Sequence, residues 1–210
     1  MSIQPDKVQP KNRVQLEQLI DYAFKHNIYD LNFIDTSKIT DMCELFEYVE
    51  HDFNISKWDM SNVTCMEYMF DGCKNFNCDL SYWDVSNVTD MAGMFVGCEN
   101  FNCDLSYWDV SNVKNMSYMF YRCYKFTGKG IGNWDVSNVK DIGGMFAGCE
   151  NFNCDLSNWD MSNVTDMGYA FIDCEKFKGK GLENWNVSNV TNMRRMFDGC
   201  NKMTIPNWYK

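Results

Sequence analysis

Residues 58–82 read WDMSNVTCMEYMFDGCKNFNCDLSY, and residues 83–107 read WDVSNVTDMAGMFVGCENFNCDLSY. The unit returns from Trp108, Trp134, Trp159 and Trp185, which spaces the tryptophans by 25, 25, 26, 25 and 26 residues. A degenerate copy, IDTSKITDMCELF, begins at Ile34, and IPNW near the C-terminus resembles the start of another unit. Self-similarity at such a period is the signature of a repeat array. The three prolines, Pro5, Pro10 and Pro206, lie outside the regular stretch, and nothing between Lys11 and Ile205 reads as a linker.

Two apolar patterns alternate inside each unit. Leu80, Trp83, Val85 and Val88 follow L-x-x-W-x-V-x-x-V, which predicts a short strand with Asp84 on its other face. Val88, Met91, Met94 and Phe95 then fall at helical spacing, predicting about two turns of helix. Thr89 would supply its N-cap oxygen, and Gly97 sits where it should stop, as Gly72, Gly148 and Gly199 do elsewhere. One strand and one short helix cannot bury their apolar faces alone, so the coils must stack. Stacking would place Trp58, Trp83, Trp108, Trp134, Trp159 and Trp185 in one column. Parallel columns would hold Met66, Met91, Met116, Ile142, Met167 and Met193, and the phenylalanines from Phe70 to Phe197. Residues 1–29 read as a tail and a capping helix, with Val14, Leu16, Leu19, Ile20 and Phe24 on one face. Residues 30–210 read as an array of about seven coils.

Composition excludes several classes. Nineteen basic and 29 acidic residues give a formal charge of −10, which repels nucleic-acid backbones and anionic lipid heads. No apolar run approaches the ~20 residues of a membrane helix. The opening MSIQPDKVQPKNR lacks the apolar stretch of a secretory signal, which points to the cytoplasm. A surface or secreted location would then need a non-classical route. Only His26 and His51 are available for imidazole chemistry, and both lie outside the regular units. No nucleophile is paired with a base, and identical coils do not bring unlike groups together as catalysis requires. The chain reads as a non-enzyme that needs no cofactor.

The unit WDVSNVTDMxxMFxGCxxFNxDLSx resembles the BspA-like leucine-rich-repeat family, including its mycoplasma-lipoprotein-type repeat of unknown function. The resemblance runs from Asp30 to Trp208, and DLNFIDTSKITDM at residues 30–42 is similar to that family's entry into the array. It implies an α/β repeat: a right-handed leucine-rich-repeat-like solenoid with one short strand and one short helix per 25–26-residue coil. It also implies binding, adhesion or host interaction rather than catalysis. The chain departs from the surface-exposed relatives in having no signal peptide or anchor.

Among polar columns the most informative is Asp59, Asp84, Asp109, Asp135 and Asp160, which ends in Asn186. These carboxylates either accept hydrogen bonds from their own Ser-Asn turns or receive a basic partner. Tyr82 and Tyr107 precede tryptophan in adjacent coils and would join the aspartates as an aromatic and acidic patch, where the other coils have Lys57, Asn133, Asn158 and Asn184. Asn62, Asn87, Asn112, Asn138, Asn163 and Asn189 read as turn-satisfying amides. Cys73, Cys98, Cys123, Cys149, Cys174 and Cys200 read as small apolar packing. A metal-binding or redox use of the cysteine columns is the alternative, although no metal ligand set is assigned. GKG at residues 128–130 and 179–181 lacks the rest of a phosphate-binding signature and reads as a glycine-turned insertion, with Lys129 and Lys180 protruding into water. The function expected is a protein-binding module whose acidic face takes a protein partner, basic in character, with neither nucleic acid nor membrane insertion. Self-association through the C-terminal end is the structural alternative.

Overall fold

The computed structural model describes residues 7–210. It keeps the repeat and corrects its secondary structure. Among the described residues the only α-helix is α1, Arg13–Lys25, joined by two single 3-10 turns at Ile131–Asn133 and Leu182–Asn184. Extended pairing is limited to isolated parallel bridges, such as Cys65 to Asp90 and Asp90 to Asn115. The expected α/β leucine-rich-repeat solenoid, with a strand and a helix in every coil, is therefore not what this chain forms. Each coil is a closed run of tight turns.

The reason lies in where the amides go. In the segment read as a helix, Met91, Gly93, Phe95 and Gly97 donate their N–H groups to Asn115, Ser117, Met119 and Tyr121 of the next coil, at 2.7–3.0 Å. The alternate residues Met94, Val96 and Cys98 donate three residues back, closing successive turns. A helix would send every amide four residues back. Left-handed backbone at every fourth residue enforces the zigzag: Tyr68 and Gly72, Gly93 and Gly97, Tyr118 and Arg122 all have φ between 51° and 72°. Arg122 and Asp173, which stand where other coils have glycine, are left-handed too. Thr89 caps no helix; its amide and hydroxyl both donate to the Thr64 carbonyl of the preceding coil. The segment read as a strand is likewise two turns, closed by Trp83 N–H to Leu80 and Val88 N–H to Val85.

Spacing of three thus serves tandem turns as well as helices, and the apolar residues still point inward. Leu80, Trp83, Val85, Val88, Met91, Met94 and Phe95 are all buried. Like side chains stack in register: Trp83 and Trp108 lie 6.4 Å apart and 3° from parallel, and Phe95 and Phe120 lie 5.6 Å apart. Where the backbone does not link the coils, side chains do. The Trp108 indole N–H donates to Leu80 O at 2.9 Å, and the Asn112 amide to Ser86 O at 2.7 Å. The buried Cys123 thiol donates to Phe95 O, and the equivalent residues of the other full coils do the same. Repeated Trp, Asn and Cys residues are therefore inter-coil ties: the indole and the thiol add a second donor to a carbonyl that already closes a turn, and the asparagine amide satisfies a serine carbonyl that no described backbone amide reaches.

The two ends differ. At the N-terminal end α1 lies on the first coil, with Asn12 accepting from the Gln15 amide as its N-cap. Leu16, Ile20 and Ala23 are buried, Phe24 packs against Phe46 and Phe53, and Val14 faces water. The Arg13 guanidinium donates to the carbonyls of Asp41 and Cys43, two of the acceptors that the first coil turns outward. The ladder carbonyls point toward this end and the ladder amides toward the other. In the last coil Met193, Arg195, Phe197 and Gly199 have amides with no acceptor among the described residues. Trp208 and Tyr209 cover part of that end, Trp208 stacking on Trp185 and Tyr209 meeting Phe197 edge to face. No described helix is long and apolar enough to cross a membrane.

Candidate functional site

The aspartate column is where the sequence placed it: Asp59, Asp84, Asp109, Asp135 and Asp160 are all exposed. Each spends one carboxylate oxygen on its own turn. Oδ1 of Asp84 accepts from the Ser86 amide at 3.1 Å and the Ser86 hydroxyl at 2.6 Å. Asp59, Asp109, Asp135 and Asp160 accept from the serine amide two residues on in the same way. Those hydrogen bonds from Ser137 hold the Asp135 carboxyl below its usual range. The second oxygen of each carboxylate has no partner, and none of the five forms an ion pair among the described residues.

Among the described large hydrophobic residues Tyr82 and Tyr107 are the most exposed, at 84% and 75%. Their rings lie 6.3 Å apart and 9° from parallel, continuing outside the core the stacking that the tryptophans make within it. With Asp84 and Asp109 they line a shallow hollow of about 300 Å³. Asp59, Asp135 and Asp160 remain outside it. In other coils the tyrosine position does local work: Asn158 donates to Asn133 at 2.9 Å. At the Tyr82–Tyr107 step two exposed tyrosine rings stand beside carboxylate oxygens that have no partner among the described residues.

Sequence reasoning missed two features. Lys129 and Lys180 do not simply protrude; they pair with Asp104 at 3.0 Å and Asp155 at 2.6 Å, each in the preceding coil. Hydrogen bonds from Ser106 and Lys129 bring the Asp104 carboxyl down to about 2, and Lys180 with Ser157 does the same for Asp155. Gly130 makes the inserted turn feasible: its φ is 92°, and a Cβ there would run into the backbone of Ser106. The second missed feature is a cleft around Tyr118, Tyr121 and Tyr124. Its signal was present, since YRCYKF at residues 121–126 breaks the pattern VGCENF of residues 96–101.

The cysteines fall into separate environments. Burial pushes the Cys73 thiol up to about 12 and the thiols of Cys98, Cys123, Cys149 and Cys174 well upward. Neutral buried thiols are poor nucleophiles and poor metal ligands. Cys43 and Cys65, outside those columns, form a disulfide between the degenerate first copy and the first full coil, beside Asp41.

Fold and surface together define a repeat protein of stacked, turn-built coils whose regular residues hold the stack and whose irregular ones face outward. The chain belongs to the family described as Mycoplasma protein of unknown function, DUF285, which it matches over residues 14–129 and 122–209. No curated protein matches it, and no solved structure does.

Proposed function

We propose that the chain is a non-enzymatic protein-binding module that recognises a basic partner through the Tyr82–Tyr107 step and its flanking aspartates. One observation carries this reading: two adjacent, stacked tyrosine rings stand largely exposed to water, and Asp84 and Asp109, each with one unpaired carboxylate oxygen, line the same hollow. Exposed tyrosine supplies large contact area at small entropic cost, and neighbouring carboxylates select and steer a cationic partner. A surface fixed by inter-coil hydrogen bonds would lose little freedom on binding. Likeness of the repeat unit to BspA-like proteins, which serve in binding and host interaction, supports the same reading.

End-to-end assembly is the second reading, favoured by the four amides without acceptors in the last coil. Against head-to-tail stacking, α1 covers the opposite end and Arg13 occupies two of its carbonyls.

Affinity capture from source-cell lysate at low and high salt tests the proposal, with Tyr82→Ser/Tyr107→Ser and Asp84→Asn/Asp109→Asn as comparison baits. The reading expects a basic protein retained by the unaltered chain at low salt and lost with either variant. Equal retention by all three baits would refute this face as the binding surface.

A further inference from the structure

Beyond that surface, the cleft on the third, fourth and fifth full coils, those beginning at Trp108, Trp134 and Trp159, carries an inference of its own. It encloses about 610 Å³, within the range of small-ligand sites, and its residues are unlike one another. One wall is aromatic: Tyr118 and Tyr121 meet edge to face at 6.0 Å, with Tyr124 and Tyr169 beside them. The rim is acidic: Glu150, Asp173 and Glu175 are exposed, and none has an ion-pair partner among the described residues. Arg122 is the single cation of the lining, so the cleft is net negative.

Tyrosine faces in this region already attract guanidinium groups. Arg122 stands 5.0 Å from the Tyr121 ring centre, and Arg194 stands 5.9 Å from that of Tyr169. Tyr118, 43% exposed, has no such cation on its ring. Aromatic faces bind cations through the ring quadrupole, and a planar guanidinium both stacks on a ring and meets carboxylates edge-on.

We infer that this cleft is a binding site for an arginine side chain of an extended peptide, its guanidinium against Tyr118 and within reach of the Glu150, Asp173 and Glu175 carboxylates. The site is distinct from the Tyr82–Tyr107 surface and stands or falls separately from it. A flexible arginine side chain suits a cleft open to solvent, and charge separates it from neutral occupants such as a sugar.

The test uses the full chain and a labelled peptide, Gly-Gly-Arg-Gly-Gly, with the citrulline peptide as its uncharged isostere. Binding is followed by fluorescence anisotropy, and the site is located by shifts of the tyrosine ring resonances. Citrulline should bind about tenfold more weakly, as one lost cation–aromatic and charge contact implies. Glu150→Gln/Glu175→Gln should weaken the arginine peptide several-fold. Shifts confined to Tyr118, Tyr121, Tyr124 and Tyr169 would support the site. Equal affinity for the citrulline peptide, indifference to the Glu150/Glu175 change, or shifts at Tyr82 and Tyr107 instead would overturn it. Tighter binding of a neutral oligosaccharide in the same cleft would overturn it as well.

Discussion

Replacing Gly93 by alanine tests how side chains lock the left-handed turns. Gly93 has φ 60°, and a Cβ there would fall within the ring of Tyr68 from the preceding coil. Two costs add. Left-handed backbone costs an L-residue about 1–2 kcal/mol, and overpacking costs about 1–3 kcal/mol. Tyr68 is only half-buried, so its ring can swing outward, and the contacts it forfeits bound the second cost. Gly93→Ala should therefore lower unfolding free energy by about 2–4 kcal/mol. Gly97 is the internal control: at φ 67° a Cβ meets nothing closer than the Gly72 Cα at 3.7 Å. Gly97→Ala should cost only the backbone share, about 1–2 kcal/mol. In a Tyr68→Ser background the Gly93→Ala cost should fall to that same share, giving a coupling of about 1–2 kcal/mol. Urea unfolding followed by tryptophan fluorescence measures the unaltered chain and the four variants. If Gly93→Ala costs the same with and without the Tyr68 ring, the packing argument is wrong.

Three further outcomes are expected. Trp108→Phe keeps the aromatic stack but removes the inter-coil donor to the Leu80 carbonyl, which retains the Trp83 amide, and should cost about 0.5–1.5 kcal/mol by chemical denaturation. Arg13→Met should loosen α1 from the first coil, read as faster amide exchange along residues 13–25, because two ladder carbonyls lose their donor. Alkali should destabilise the fold through its buried thiols: Cys73 titrates near 12 when folded, against ~8.5 for an unfolded thiol. Below ~8.5 both states keep the proton and stability is intact. As pH rises toward 12 only the unfolded chain ionises, so each such thiol removes about 2 kcal/mol by pH 10. Unchanged urea midpoints between pH 8 and 10 would contradict that burial.

The repeat, its columns and the outward aspartates were legible because stacking imposes them at fixed spacing. Trp83, Met91 and Phe95 had to point inward whatever the backbone did. The secondary structure was not legible from the same residues. Spacings of three satisfy a helix and a run of tandem turns alike, and hydropathy cannot say whether an amide bonds within its coil or to the next. What distinguished them was the alternation of Tyr68, Gly93, Tyr118 and Gly144, a large ring over an absent side chain, which has no purpose in a helix. The exposed pair Tyr82 and Tyr107 was readable as a break in a column. The Tyr118 cleft escaped because Tyr118 and Tyr121 lay in a segment taken as helical and Tyr124 just past its expected stop, and nothing in that reading turned them toward Glu150 or Glu175 of later coils.

Residue-resolved amide hydrogen exchange tests the architecture most directly. Met91, Gly93, Phe95 and Gly97 should be strongly protected, since each donates to the following coil. Met193, Arg195, Phe197 and Gly199 occupy the same positions in the last coil without acceptors, and should exchange far faster. Equal protection of the two sets, as a short helix in every coil would give, would contradict a stack of turns tied coil to coil.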